Sequence, residues 1–341
     1  MNINKFPKVE IHSNYINMIS TLESIDGTHK TFRYPLVNGK LKGIIFCDVN
    51  GTYVWLHSII RRSISIVFPW VTDVDSLVKN YLRGFKLGTS WREFYRMYGI
   101  YVLGINSWTD PLVYGQDFLD HHKQEIDQPG SEYYEIANRF LQTFDLVASE
   151  VVKDEYLERP KSFADMRIKP INHLANIWVR EGYLVVGMSA NPIKYIQQVC
   201  KYAGLAQFFP FCVTDTHIFG LKEYKMDYFT DWLESQGIPV PFDKVKVVGD
   251  SLTGDIQSLL RFKWLEEKDG KGPVSGSGLL VLNNEGEFKE VIQKVRHDSD
   301  LSTMTKKFSV EAILLDHVPL TDNIPQMDGP DKKKFIRKIE I

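Results

Sequence analysis

Two carboxylates and a serine, each at the end of an apolar run, are the parts of this chain placed to do chemistry. Asp48 follows Ile44-Ile45-Phe46-Cys47 and opens Asp48-Val49-Asn50-Gly51-Thr52. Asp250 follows Val245-Lys246-Val247-Val248-Gly249 and opens a segment that reaches a further acid at Asp255. Short apolar runs of this kind are expected of strands buried in a parallel sheet, and the turn residues that follow mark their carboxyl ends. Ligands of open α/β sheets bind at that edge, so a carboxylate there can attack as a nucleophile or hold a cation. Between the two acids, Tyr183 to Met188 runs into Ser189-Ala190-Asn191-Pro192, where a hydroxyl and free amides at a helix start suit phosphate oxygens. Taken singly, each has a plainer reading: Asn-Gly favours a turn, and a Ser or Asp ahead of a helix is most often a cap.

Taken together, the residues resemble the haloacid dehalogenase (HAD) superfamily. Asp48-Val49-Asn50-Gly51-Thr52 is similar to the first motif of that family, usually Asp-x-Asp-Gly-Thr, with Asn50 in place of the second aspartate. Gly249-Asp250-Ser251-Leu252-Thr253-Gly254-Asp255-Ile256 is similar to the fourth motif, in the variant with four residues between its aspartates. Ser189 stands where the second motif has its hydroxyl. The family also carries a lysine between the second and fourth motifs. Lys225 matches best, because its distance from the helix stop Gln236-Gly237-Ile238-Pro239 resembles the phosphoserine phosphatase branch, and Lys222 is the competitor.

The resemblance implies an α/β fold: a Rossmann-like core with a central parallel sheet, formed by residues 1–52 and 166–341. It implies a mainly α-helical, mobile cap over residues 53–165. It further implies a magnesium-dependent phosphohydrolase in which Asp48 attacks phosphorus and forms an aspartyl-phosphate. Mg²⁺ would be held by Asp48, the backbone carbonyl of Asn50 and Asp250. Ser189, Asn191 and Lys225 would grip phosphate oxygens, and Asp255 would orient water or Lys225 from behind. In family phosphatases the second aspartate of the first motif protonates the leaving group and then activates water. The amide of Asn50 does neither, and general acid–base catalysis is worth about 10² to 10⁴ in rate. Four explanations stay open at this point: a substrate with a good leaving group such as an acyl phosphate, a proton supplied by another group, a phosphate-binding or regulatory relative with little turnover, or an engineered substitution. A phosphotransferase or mutase is a further alternative.

The elements that must position these residues are partly readable. Ile171, Leu174, Ala175 and Trp178 recur at helical spacing and are followed by Glu181-Gly182 and the strand Tyr183 to Met188. Asn191 can cap the next helix with Pro192 in its first turn, and Ile193, Ile196, Val199 and Cys200 give its apolar stripe. Met226, Phe229, Trp232 and Leu233 continue the helix that starts near the lysines. Further strands are expected at 279–282 and 312–315, a flexible loop at Gly270 to Gly278, and a fraying tail at 331–341 that includes Lys332-Lys333-Lys334. Trp91, Phe94, Tyr95, Tyr98, Tyr133, Tyr134, Phe140 and Phe144 read as the inserted segment's own core.

Composition narrows the classes. The chain has 341 residues, 43% hydrophobic and 25% charged, with a net charge of -2, which fits a globular protein with a core and an insert. That charge, without an extended basic run, argues against a dedicated nucleic-acid partner and fits a phosphorylated small molecule better. Cys47, Cys200 and Cys212 lack metal-ligand spacing and suit a reducing cytoplasm. No apolar run approaches bilayer length, so no membrane association is expected, and Met1 to Pro7 lacks the apolar core of a signal peptide. Arg61 and Arg62 read as a solvated helix face rather than a substrate clamp. Asp120-His121-His122 reads as a surface triplet, and Cys47 as core because alternation along the strand turns it away from Asp48.

Overall fold

The structure is a computed structural model of the chain. It describes residues 41–54, 57–67, 146–158, 168–191, 193–203, 211–214, 221–235, 237–271, 273–318 and 335–339, the backbone at 36–37 and 40, and a few isolated positions. The chain divides into two compact units, one of Met1–Leu56 with Glu155–Ile341 and one of His57–Asp154.

The first unit is built on a sheet. A short antiparallel hairpin, β1 (Leu36–Val37) with β2 (Lys40–Leu41), precedes β3 (Gly43–Asp48). The other strands are β4 (Tyr183–Met188), β5 (Phe211–Val213), β6 (Val245–Gly249), β7 (Gly276–Leu282), β8 (Ser309–Leu314) and β9 (Ile336–Lys338). Their spatial order is β5-β4-β3-β6-β7-β8-β9, parallel throughout except for the antiparallel β8–β9 pair. The chain lays β3 in the middle, builds outward through β4 and β5, then returns to the other side of β3 with β6. That reversal makes β3 and β6 a topological switch point, where the loops leave the sheet in opposite directions and open a crevice at the strands' carboxyl ends.

Helices cover the sheet. After α1 (His57–Val67) of the second unit come α2 (Lys169–Arg180), α3 (Ile193–Ala203), α4 (Lys222–Ser235), α5 (Ser258–Lys268), α6 (Glu285–His297) and α7 (Ser299–Lys307). The expected helix–stop–strand unit is present as α2, the turn at Glu181-Gly182 and β4. Ile196, Val199 and Cys200 of α3 are buried as the sequence stripe requires, while Ile193 is half-buried and Pro192 lies outside the described residues. Local signals also set helix starts. The Asn284 side chain accepts from Glu287 N ahead of α6, and Asp298 accepts from Asp300 N and Leu301 N ahead of α7, each cap worth about 1 kcal/mol.

The core between the sheet and α4 is aromatic. Phe46 of β3 meets Phe229 edge-on at a centroid separation of 6.0 Å, and Trp232 packs at 5.4 Å from Phe211 and 5.6 Å from Phe229. Burying each such ring stabilises the fold by roughly 1.5–3 kcal/mol, so α4 is held firmly against the sheet at the point where its first residue reaches the crevice.

Two sequence expectations change here. Gly276, Ser277 and Gly278 are not loop: they open β7 and pair in register with Val245, Lys246 and Val247, extending the β6 ladder. Nor does the whole tail fray. Ile336 pairs with Ile313 and Lys338 with Glu311, and Phe335, Ile336 and Ile339 are buried, because this apolar segment covers the edge of β8. Lys332-Lys333-Lys334 lies outside the described residues.

In the second unit, α1 buries Ile59, Ile60, Ser63 and Ile64. Arg61 is exposed and pairs with Asp75, with Nε 2.5 Å from Oδ1, while Arg62 lies 4.0 Å from Asp154. Both arginines thus have acidic neighbours within their own unit. The aromatic residues from Trp91 to Phe144 and Asp120-His121-His122 lie outside the described residues.

Candidate active site

The end of β3 and the end of β6 bring two acids together. Asp48 closes β3 and is 5% exposed; Asp250 directly follows β6 and is 2% exposed. Beyond Asp48 the chain turns tightly, with Gly51 N donating to Val54 O at 2.9 Å and Tyr53 N to Val49 O at 3.0 Å. Gly51 has φ 78°, and a β-carbon there would overlap the Asp250 carboxylate. The first turn can therefore lie against Asp250 only with glycine at this position.

The segment after Asp250 is a single π-helical turn, Leu252–Ile256, in which Gln257 N donates to Leu252 O at 2.9 Å. Such turns re-aim side chains at functional sites. Here the turn swings Asp255 back toward the strand end. Ser251 N donates to Asp255 Oδ2 at 2.9 Å, and Gly249 leaves room for the same carboxylate, which a β-carbon would overlap. As a result one carboxylate oxygen each from Asp48, Asp250 and Asp255 lies within 4.8 Å of the others.

A lysine enters from α4. Lys222, the first residue of that helix, donates from Nζ to Asp48 Oδ1 at 2.5 Å and also to Asp255 Oδ1. The spacing argument favours Lys225, and the structure places the competitor Lys222 on Asp48 and Asp255. Lys225 lies one turn deeper in α4, is 1% exposed, and has Glu223 and Cys212 within its electrostatic reach. Asp255 steadies Lys222.

The electrostatics reflect crowding. Burial pushes the Asp48 carboxyl up to about 7, opposed by the Lys222 charge and reinforced by the nearby Asp255. Burial also works against the Lys222 charge, yet Asp255 and Asp48 outweigh it and hold its pKa above the ordinary lysine value. Three buried carboxylates crowd this edge, and Lys222 bonds two of them. Asp48 Oδ2 is buried with no hydrogen-bond partner. A hard divalent cation takes oxygen ligands of this kind, so this donor set fits Mg²⁺.

On the other side of β3 stand the serine and two asparagines. Ser189 at the end of β4 is 1% exposed, and its Oγ accepts from Asn191 N at 3.1 Å. Asn191 Oδ1 accepts from Ser189 Oγ at 3.2 Å and from Asn50 Nδ2 at 2.7 Å. The Asn50–Asn191 bond is not apparent from the sequence, where each residue reads as turn or cap. Thr52, whose Oγ1 is buried without a partner, is a further polar group that the spacing alone does not single out. Cys47 is core, as alternation requires. Its Sγ accepts from Tyr53 Oη at 3.4 Å, and burial pushes its thiol up to about 12.

No protein-family model and no curated protein matches the chain. Solved structures do. A haloacid dehalogenase-like hydrolase of Streptococcus pneumoniae matches with 13% identity over 81% of this chain and 95% of its own, at a TM-score of 0.39. A protein named a HAD hydrolase from Bacillus subtilis, bound to magnesium, matches with 12% identity over 70% and 89% at 0.38. A predicted phosphoglycolate phosphatase of Haemophilus somnus matches with 16% identity over 69% and 84% at 0.35. Dehalogenases are also among the matches. The likeness is to hydrolases of the HAD type.

Proposed function

We propose that this chain is a HAD-type, Mg²⁺-dependent phosphohydrolase acting on a phosphorylated small molecule. The observation that carries the reading is Asp48 itself: one oxygen is held by Lys222, the other is buried and unpartnered, and Asp250 and Asp255 lie beside it on the adjoining strand end. An Asp48 oxygen attacks phosphorus, and the bond to the leaving oxygen breaks with its electron pair, giving an aspartyl-phosphate. Water then attacks the same phosphorus, the bond to Asp48 breaks, and the carboxylate is regenerated. Lys222 neutralises charge on the phosphoryl oxygens, and Ser189 with Asn191 borders them on the opposite side. Asp48, Asp250 and the Asn50 carbonyl would hold Mg²⁺, which when bound supplies the remaining positive charge that phosphoryl transfer needs.

In this reading the inserted segment, residues 53–165, would serve as the cap of a HAD-type enzyme. Among the described residues no helix is long and apolar enough to cross a membrane, and all three cysteines are free and buried, which suits a reducing cytoplasm. A second reading, a phosphate-binding or regulatory relative with little turnover, is favoured by one observation: the Asn50 amide is neutral and bonded to Asn191. A panel of phosphorylated metabolites with and without Mg²⁺ decides between them. Turnover that needs Mg²⁺ and Asp48 supports the enzyme. No turnover by this chain or by Asn50→Asp would sink it.

A further inference from the structure

The bond between Asn50 and Asn191 gives position 50 a role that does not depend on proton transfer. An amide has one donating arm and one accepting arm, and they diverge. In this structure the donating arm is committed: Asn50 Nδ2 lies 2.7 Å from Asn191 Oδ1. Asn191 cannot easily turn over to release it. Its Oδ1 also accepts from Ser189 Oγ, its backbone N donates back to Ser189 Oγ, and it is 6% exposed. With Nδ2 fixed, Asn50 Oδ1 turns away from Asn191, and that oxygen is buried with no hydrogen-bond partner. A buried, unpartnered carbonyl oxygen is destabilising until a donor reaches it.

We propose that Asn191 is a positioning residue that locks the Asn50 amide with its acceptor oxygen presented to the reacting phosphoryl group. There it takes a hydrogen bond from the water that resolves the aspartyl-phosphate. This inference rests on the phosphohydrolase reading. In the step it describes, the water oxygen forms the new bond to phosphorus and the Asp48–phosphorus bond breaks with its electron pair returning to Asp48. The surplus proton of the water stays on the released phosphate. Asn50 orients the water and takes no proton, so an amide suffices. The same geometry explains why asparagine at 50 and asparagine at 191 belong together. A carboxylate at 50 would face Asn191 Oδ1, acceptor against acceptor, unless Asn191 turned over and withdrew its oxygen from Ser189.

The test is a double-mutant cycle on the full chain with Mg²⁺ and an aryl phosphate whose alcohol is followed optically. Asn50→Ala and Asn191→Leu should each lower kcat about tenfold with KM changed far less, and the double variant should be no slower than the worse single one. Because the slowed step follows leaving-group departure, both variants should show a burst of alcohol ahead of steady phosphate release. In ¹H–¹⁵N spectra the Asn50 side-chain amide should lose its hydrogen-bonded shift in Asn191→Leu and keep it in Asn191→Asp, which retains an oxygen facing Asn50. Additive losses of about a hundredfold in the double variant, absence of a burst, or an Asn50 resonance unmoved by Asn191→Leu would each overturn this inference while leaving the phosphohydrolase standing. Absence of turnover in every chain overturns both.

Discussion

Asp48, Asp250 and Asp255 gather at the carboxyl edge of the sheet, where Lys222 bonds the first and the last, while Asp227, Asp231 and Glu266 meet Lys271 between α4 and α5. Both gather three carboxylates, and the construction differs. Lys271 Nζ reaches all three of its acids, 3.3 Å from Asp227 Oδ1, 3.4 Å from Glu266 Oε2, and in contact with Asp231. Asp227 and Asp231 stand on one helix flank and are 29% and 30% exposed, so water shares their charge. Glu266 is fully buried, and burial pushes it up to about 8, partly offset by Lys271, so it answers desolvation by keeping its proton. At the sheet edge Lys222 bonds Asp48 and Asp255, whereas Asp250 lies against Gly51, and all three acids are nearly sealed from solvent. A lysine within ion-pair reach of all three of its acids makes a clamp. Carboxylate oxygens that converge at a strand end make room for a ligand.

Substitutions can break this contrast, and the largest effect is expected at the nucleophile. Asp48→Asn should reduce phosphate release by at least about a thousandfold, while Asp231→Asn, at the clamp, should stay within about threefold. A comparable loss in both, measured as kcat/KM, would erase the distinction. Next comes the lysine. Lys222→Met should lower turnover about a hundredfold, because it removes the cation hydrogen-bonded to Asp48, whereas Lys225→Met should act first on melting temperature. The reverse pattern would restore Lys225 as the site lysine.

A smaller effect should mark the cation itself. Mg²⁺ at about a hundred times its dissociation constant stabilises a folded site by roughly 2.7 kcal/mol, which calorimetry reads as a rise in melting temperature. Asp250→Asn should abolish that rise and Asp231→Asn should preserve it. The smallest expected effect is a pH slope at the clamp. The folded pKa of Glu266 is raised from 4.5 to about 8, so its contribution to stability is complete below about 4.5 and is lost as pH rises through about 8. Melting temperatures between pH 5 and pH 9 should therefore fall less steeply in Glu266→Gln, by a few degrees. An unchanged slope would place the alkaline loss elsewhere.

How much of this was legible in the sequence differs from element to element. Asp48, Ser189 and Asp250 could be placed at strand ends because each closes a continuous apolar run, a signal that depends only on neighbours in the chain. The choice between Lys222 and Lys225 could not be made that way. It turns on which residue begins α4, and the amphipathic pattern from Met226 to Leu233 fixes the helix face but not its first residue. Gly276 and Gly278 read as loop from their types, yet the ladder with β6 claims them, a pairing set by tertiary contact. The segment from Phe335 to Ile339 is too short for its alternation to register, and only the open edge of β8 gives it a place. The Asn50–Asn191 bond spans 141 residues, and no local rule predicts it.

Glycines 51 and 249 have a consequence for how this site can be lost. Each stands where a β-carbon would overlap a carboxylate, Asp250 in one case and Asp255 in the other. The site can thus be dismantled without touching a charged residue. A single methyl group at either position displaces an acid from the cluster while the strands beneath keep their pairing, so a chain could retain every recognisable motif aspartate and still be silent.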